Sequence, residues 1–361
     1  MRQIRILVDS FADAGWPNAQ MGNAREIICR LDPVRFHVST FVLGTPDPRI
    51  AGRANTRLIQ LPQRRQTIRI LSEFLLGSHD VLFYMKSSPA SRWYLSLKKR
   101  WHDRRITIGS IESECDLRNE LDIAPEAVRL WEQTILRCDL LFSNSVFVQQ
   151  SLKREYGLGS EVIPTGVDTR FFTPPQDRAP GQRVQVLFVG SLRRRKQPDF
   201  LLSAAARFPG ADFGIAGDGP MAGELAASIA KMGLKNASLA GLLDAEQLRA
   251  EYQRADIFLF PSTFEGSPKV ILEASACGVP VIVRNNYSPE TVIQGVTGYL
   301  ADSDEEIFST LQRLISSPDL RRQLGLAGRL HSQRYDWDLI TRQWEDAFEA
   351  AGSRQELRKA S

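Results

Sequence analysis

The sequence predicts an α/β protein made of two Rossmann-like, doubly wound domains facing each other across a cleft. Three observations carry this expectation. Short apolar runs alternate with helix-length stretches along nearly the whole chain, the pattern of a parallel sheet with crossover helices. A Pro- and Gly-rich segment, Pro164 to Pro175, interrupts the alternation near the middle, as a domain connector does. The alternation then restarts in units of similar size. A length of 361 residues agrees, at roughly 100–200 residues per domain.

In chain order, strands are expected first at Ile4–Asp9, Phe36–Leu43, Asp80–Tyr84, Ile106–Ile108 and Asp139–Phe142. The helix-length stretches between them include Asn23–Leu31, Pro125–Arg137 and Val146–Tyr156. Past the connector, strands are expected at Val184–Val189, Ala211–Ala216, Ala237–Ala240, Ile257–Phe260 and Val279–Val283. Helices are expected at Phe200–Phe208, Met221–Met232, Ala245–Arg254, Lys269–Cys277 and Glu305–Ile315, and Asp336–Arg358 reads as a polar helical tail. The domains are therefore bounded as 1–163, a linker 164–182, 183–335, and a helix and tail at 336–361. In such sheets ligands bind at the carboxyl ends of the strands.

Composition narrows the class. Hydrophobic residues make up 43% and charged residues 24%, ordinary for a soluble globular protein. No segment approaches the ~18 apolar residues of a membrane helix, and the N-terminal run is too short for a signal peptide. Cys29, Cys115, Cys138 and Cys277 form no CxxC pair, which disfavours a disulfide framework or zinc knuckle and fits reduced thiols in the cytoplasm. Residues 1–175 hold 24 Lys/Arg against 19 Asp/Glu, the remainder 22 against 23. The mild basic surplus of the first half suits an anionic substrate or membrane surface better than nucleic acid. No GK[ST] phosphate loop occurs, which disfavours ATP hydrolysis. None of the four histidines has metal-ligand spacing; His37 falls within a strand.

The most informative stretch runs from Phe260 to Val281. A buried strand ends at Phe260, a loop follows, and Ser267 and Pro268 occupy the expected N-cap and first helical positions. The free amides of such a helix start suit an anion such as pyrophosphate. Glu265 precedes this helix and Glu273 lies inside it. A fully helical separation of eight residues spans ~12 Å, more than the ~5–9.5 Å needed to flank one glycosidic bond. The pair fits two hydroxyl-rich ends of one elongated ligand better.

Glu265-Gly-Ser-Pro-Lys-Val-Ile-Leu-Glu273 resembles the paired-glutamate motif of glycosyltransferase family 4, the retaining group 1 glycosyl transferases of GT-B fold. Val162-Ile-Pro-Thr-Gly-Val-Asp168, Leu187-Phe-Val-Gly-Ser-Leu192 with Lys196, Ile215-Ala-Gly-Asp-Gly-Pro220, Gly278-Val-Pro-Val281, Glu290 and Gly298-Tyr-Leu300 follow in the family's order. The resemblance implies an acceptor-side first domain, a donor-side second domain and a C-terminal helix crossing back to the first. It implies that Glu273 binds the nucleotide ribose, Glu265 the donor hexose, and Lys196 the diphosphate. Gly266, Ser267, Pro268 and Lys269 would present backbone amides, with Gly190 and Gly217 in the phosphate-side loops. The implied product is α-linked, with the departing phosphate deprotonating the acceptor.

Three positions depart from the family pattern. Ser191 stands where an Arg usually follows the phosphate-loop glycine; Arg193, Arg194 or Arg195 could replace it, or the run is a solvated turn. The twin glycines of the first loop are absent, and near their place stands Gly15, which reads equally as a donor contact or a turn glycine. The histidine expected after a first-domain strand is Glu112, whose charge could stabilise an oxocarbenium-like centre or merely cap a turn; Arg118 is one cation that could offset it. Gly217-Asp218-Gly219 also reads as a structural strand-to-helix turn, and Asp302-Ser-Asp304 as a helix cap rather than a metal-binding DxD.

The resulting expectation is a glycosyltransferase moving a sugar from a nucleotide-diphosphate sugar to a saccharide or lipid-linked acceptor, in polysaccharide or glycolipid synthesis, with no metal requirement and no nucleic-acid partner. A non-catalytic GT-B scaffold and a same-fold epimerase or phosphorylase are the rivals. The basic, aromatic segment Arg92–Arg105, including Lys98, Lys99 and Arg100, reads either as a peripheral contact with an anionic membrane or as a crossover helix with its charges in water.

Overall fold

The computed structural model describes residues 2–15, 19–115, 123–176 and 183–360. The chain divides into two compact units: Met1–Pro164 together with Trp337–Ser361, and Thr165–Asp336.

Unit 1 runs β1 (Ile4–Phe11), α1 (Ala19–Arg30), β2 (Phe36–Val42), α2 (Pro48–Ala51), β3 (Thr56–Gln60), α3 (Gln66–Leu76), β4 (Val81–Phe83), α4 (Pro89–Arg100), β5 (Ile106–Ile111), α5 (Pro125–Glu132), β6 (Leu140–Ser143), α6 (Val146–Tyr156) and β7 (Glu161–Val162). The strands form one parallel sheet in the order β3-β2-β1-β4-β5-β6-β7. The order reverses direction between β1 and β4, and such a switch point opens a crevice at the carboxyl ends of its two strands. The central strands are buried on both faces, as a covered parallel sheet requires: Ile6, Leu7 and Val8 of β1 and Val81, Leu82 and Phe83 of β4 are fully enclosed.

Unit 2 contains β8 (Val184–Val189), α7 (Phe200–Arg207), β9 (Ala211–Ala216), α8 (Ala222–Met232), β10 (Ala237–Gly241), α9 (Ala245–Arg254), β11 (Ile257–Phe260), α10 (Lys269–Ala276), β12 (Val281–Arg284), β13 (Gly298–Ala301), α11 (Asp304–Ser316) and α12 (Pro318–Ser332). Its sheet is also parallel, ordered β10-β9-β8-β11-β12-β13. The switch point here lies between β8 and β11. Asp244 caps α9 in a reciprocal box with Gln247, and Ser303 caps α11 by accepting from the Glu306 amide. Asp302 and Asp304, flanking that cap, bind Asn285 at 2.9 Å and Arg284 at 2.6 Å.

The connector is not a free tether. Val167 N–H donates to Tyr335 O at 2.8 Å, and Arg329 on α12 clamps the carbonyls of Thr169, Phe172 and Ala276 at 2.9–3.0 Å. Thr165 to Gln176 thus belong to unit 2, whereas residues 177–182 of the expected linker lie outside the described residues.

The final helix, α13 (Trp337–Ala360), corrects the expectation of a polar tail. Trp337, Ile340, Trp344, Phe348 and Ala351 recur at helical spacing and are buried in unit 1's core. Trp344 packs on Phe83 at 4.7 Å and on Phe142 at 5.0 Å between ring centres. Its opposite residues are charged, so the stripe is lost in the average composition.

Other departures are local. The edge strands β3 and β7 and the second-unit strand β13 were not expected. In β3 only Ile59 is buried, so it lacks the apolar run that marks an internal strand. Val279 closes α10 by donating to Ala274 O at 3.0 Å, which delays β12 to Val281. The expected helix Pro125–Arg137 ends at Glu132, and Ile135–Arg137 forms a separate 3-10 turn.

Candidate active site

At the switch point of unit 2, β8 ends at Val189 and the chain turns through Gly190. Gly190 N–H donates to Ala216 O at 3.0 Å. Gly217, at φ +135°, approaches so closely that a Cβ there would lie 1.9 Å from Gly190 O. Only glycine fits, so Gly217 sets the contact between the β8 and β9 loops. The chain continues into a 3-10 turn, Arg194–Lys196, and Gln197 adopts the left-handed conformation.

This turn is stitched to the loop after β11. Thr263 N–H donates to Arg195 O at 2.8 Å, and Arg195 Nη1 donates to Phe264 O at 3.0 Å. Arg284 on β12 donates to Pro261 O and to Gln197 Oε1, both at 3.0 Å. Of the three adjacent arginines, Arg195 therefore anchors the loop. Arg194 points to solvent and reaches Glu224 at 3.8 Å.

The turn aims the Lys196 ammonium inward, onto the Glu265 carboxylate, with the Phe260 ring 5.0 Å beneath it. Both side chains are about nine-tenths enclosed. Burial pushes the Lys196 pKa down while Glu265 opposes that shift. Glu265 also accepts from Ser262 Oγ at 2.5 Å. A buried cation and carboxylate in contact can exchange partners when an anion and hydroxyl groups arrive, since each then keeps a counter-charge or donor.

Glu273 sits on the second turn of α10, apart from that pair. Its Oε2 accepts from the hydroxyl of the fully buried Tyr252 at 3.0 Å. Burial raises the Glu273 pKa, with Lys269 and Tyr252 acting against it. The N-cap expected at Ser267 is corrected: Pro268 is the capping residue, at extended φ/ψ, with no side-chain cap bond, and the helix starts at Lys269. Ring closure fixes φ of Pro268, and its extended ψ keeps it outside the helix. Gly266 and Pro268 are buried, Ser267 and Lys269 half-buried, and the start of α10 remains an anion-accepting helix terminus.

In unit 1, Glu112 follows β5. Its carboxylate accepts from Asn23 Nδ2 at 3.3 Å and from the Tyr84 hydroxyl, and its carbonyl from Asn144 Nδ2 at 3.2 Å. Gly15 is exposed at φ +75° with open space around it. Arg118 lies outside the described residues. Four residues without a motif were missed: Tyr252, Ser262, Asn23 and Tyr84 hold the glutamates, and nothing in their local sequence marks them.

Two parallel doubly wound sheets, one carrying paired glutamates and a buried lysine at its switch point, define a glycosyltransferase of GT-B fold. Residues 170–331 match the profile of Glycosyl transferases group 1. The chain is 29% identical over 340 residues to a GDP-mannose-dependent alpha-(1-6)-phosphatidylinositol monomannoside mannosyltransferase of Mycolicibacterium smegmatis, covering 86% of this chain and 87% of that one. The fold is shared with a sucrose-phosphate synthase from Thermosynechococcus elongatus (TM-score 0.80, 21% identity, all of both chains). It is also shared with Anabaena HepE in complex with UDP and glucose (TM-score 0.76, 16% identity, 96% of this chain and 100% of that one).

Proposed function

We propose that this glycosyltransferase takes a hexosyl group from a nucleotide-diphosphate sugar and passes it, with retention, to a hydroxyl of a saccharide or lipid-linked acceptor in polysaccharide or glycolipid synthesis. The observation that carries the donor half is the buried Lys196–Glu265 pair beside the start of α10. An incoming diphosphate draws the Lys196 ammonium as a point charge. The carboxylate of Glu265 is then released to accept from hexose hydroxyls, while Glu273 accepts from the ribose diol. The bond from the anomeric carbon to the leaving phosphate oxygen breaks. The acceptor oxygen bonds to that carbon on the same face, and its proton passes to the departing phosphate. This sequence uses no side-chain nucleophile.

A thermal-shift screen with UDP-, GDP- and ADP-sugars tests the reading, because a ligand that binds the native state raises its melting temperature. One nucleotide series, with GDP-mannose first in the panel, is expected to stabilise the protein and to be slowly hydrolysed without acceptor. A protein that no nucleotide sugar stabilises would not fit this function.

Turnover is expected to persist in EDTA, since Lys196 and the α10 terminus supply the positive charge that the leaving diphosphate needs. Activity abolished by EDTA and restored by magnesium or manganese would overturn this assignment.

No described helix is long and apolar enough to cross a membrane. For the peripheral contact we assign the segment from α4 to Arg104. Trp93 and Trp101 there are more than half exposed, and the cations Arg92, Lys99, Arg100 and Arg104 are exposed beside them in the chain. Lys98 is not among them: it is buried and bonded to Asp139 at 2.8 Å. Changing Lys99, Arg100 and Arg104 together to Glu should abolish binding to phosphatidylglycerol vesicles at low salt. A wild-type protein that leaves such vesicles unbound would refute the contact.

A further inference from the structure

The amino end of the first sheet carries charge where a covered parallel sheet is ordinarily apolar. Arg5, His37 and Arg57 are each the second residue of their strands, β1, β2 and β3. The register sets Arg5 beside His37 and Arg57 beside Ser39. Paired residues point to the same side of a sheet, so all four share one face. Further along that face Leu7, Phe41 and Ile59 pack into one core cluster with Phe74 of α3. The face under α3 is therefore apolar along its length and cationic at its foot.

At this foot lies a cavity of about 440 Å³, lined by Arg5, His37, Arg57, Arg69, Glu73 and His79 among others. Three guanidiniums meet a single carboxylate there. Buried Glu73 on α3 is fully engaged: Arg57 reaches it at 2.8 and 3.2 Å, Arg69 at 3.1 Å and His79 Nε2 at 3.0 Å. Arg5 turns instead to Asp80, its Nε at 3.5 Å, an aspartate that Arg2 already holds at 2.7 Å. Among the described residues these bonds leave the Arg5 Nη atoms, Arg57 Nε and Arg69 Nη2 without a protein partner. His79 Nδ1 is buried and likewise unpartnered. The His37 imidazole registers the surplus of positive charge: burial lowers its pKa, and the charges of Arg53, Arg57 and Arg5 lower it further. Like charges gathered in one cleft repel, and an anion among them would remove that repulsion.

We propose that this cavity is a binding site for a phosphate group, as the free ion or as a small phosphate monoester, held by Arg5, Arg57 and Arg69. Guanidiniums with unused N–H groups match phosphate oxygens two at a time. Arg5 lies roughly 20 Å along β1 from Phe11, six residues on at a strand's rise per residue. The site is thus at the opposite end of the sheet from the switch-point crevice, and its ligand is separate from the sugar donor and acceptor of the transferase reading.

Proton resonance of the histidine rings during titration with potassium phosphate tests the site, with potassium chloride at matched ionic strength as the control and His37→Gln assigning the signal. The His37 pKa should rise as phosphate binds, because a nearby anion favours the protonated imidazole, and the rise should saturate. Arg57→Gln should weaken this binding by at least about tenfold, the worth of one charge-assisted contact. Arg69 and His79 still hold Glu73 in that variant. Arg57→Lys, which keeps the charge, should weaken binding less. Glycerol 3-phosphate separates the sources: tighter binding than phosphate identifies an organic monoester, equal or weaker binding the free ion. A His37 signal that ignores phosphate, or answers chloride equally, overturns the proposal. So does a folded Arg57→Gln protein that binds as the wild type does. Phosphate that raises the melting temperature without moving His37 sits elsewhere, as at the α10 terminus, and overturns it too.

Discussion

Replacing Lys196 by methionine is expected to cut sugar transfer by about 10²–10³-fold, the loss seen when one preorganised stabiliser of developing charge is removed. The substitution should also destabilise the protein, by up to about 3–5 kcal/mol, because it strands the enclosed Glu265 carboxylate without its cation. Ser262 still donates to Glu265, which places the expected loss toward the lower end. The double variant Lys196→Met, Glu265→Gln separates the two effects. It should recover most of the melting temperature, since no unpaired charge remains, and recover none of the turnover. Single-turnover transfer and thermal unfolding on the three proteins check this. Turnover in Lys196→Met within a few-fold of wild type would remove the lysine from the chemistry and leave the pair a structural bridge.

Glu273→Ala should weaken binding of the cognate nucleoside diphosphate by about 10–100-fold, the worth of a carboxylate hydrogen-bonded to hydroxyl groups. A second effect follows from Tyr252, which is fully buried and donates to Glu273. Truncating Glu273 orphans that phenol at a cost of about 1–3 kcal/mol. Adding Tyr252→Phe removes the orphan, so the double variant should regain stability while its nucleotide affinity stays low. Affinity measured by calorimetry on folded protein decides the matter. An unchanged dissociation constant for Glu273→Ala would withdraw the ribose role.

What the sequence reveals of this fold follows from where apolar residues are concentrated. Strands buried on both faces, such as Ile257–Phe260, appear as unbroken apolar runs and are recovered to the residue. Edge strands such as Thr56–Gln60 bury one side chain and carry no such run. In α13 the buried residues are spaced three and four apart among charges, so only their period betrays them. The candidate site divides the same way. Glu265 and Glu273 are legible because a short motif holds both. Their partners Ser262 and Tyr252 come from other positions and are set by tertiary packing. The expected Ser267 cap failed because Pro268 keeps an extended ψ and itself ends the loop.

The placement of α13 also bears on how the protein comes to be folded. Arg30 on the first helix pairs with Asp338 at 3.1 Å, and Arg35 with Glu345 at 2.9 Å, contacts about three hundred residues apart along the chain. During synthesis from the N-terminus, the first sheet emerges early but lacks Trp344 and Phe348, the aromatic residues that seal it. Thr165–Asp336, all local to itself, is complete before that seal is translated. The nascent chain should therefore mature out of order, with the later unit acquiring its native packing first. The earlier unit stays open, with apolar surface exposed to chaperones, until the last helix leaves the ribosome.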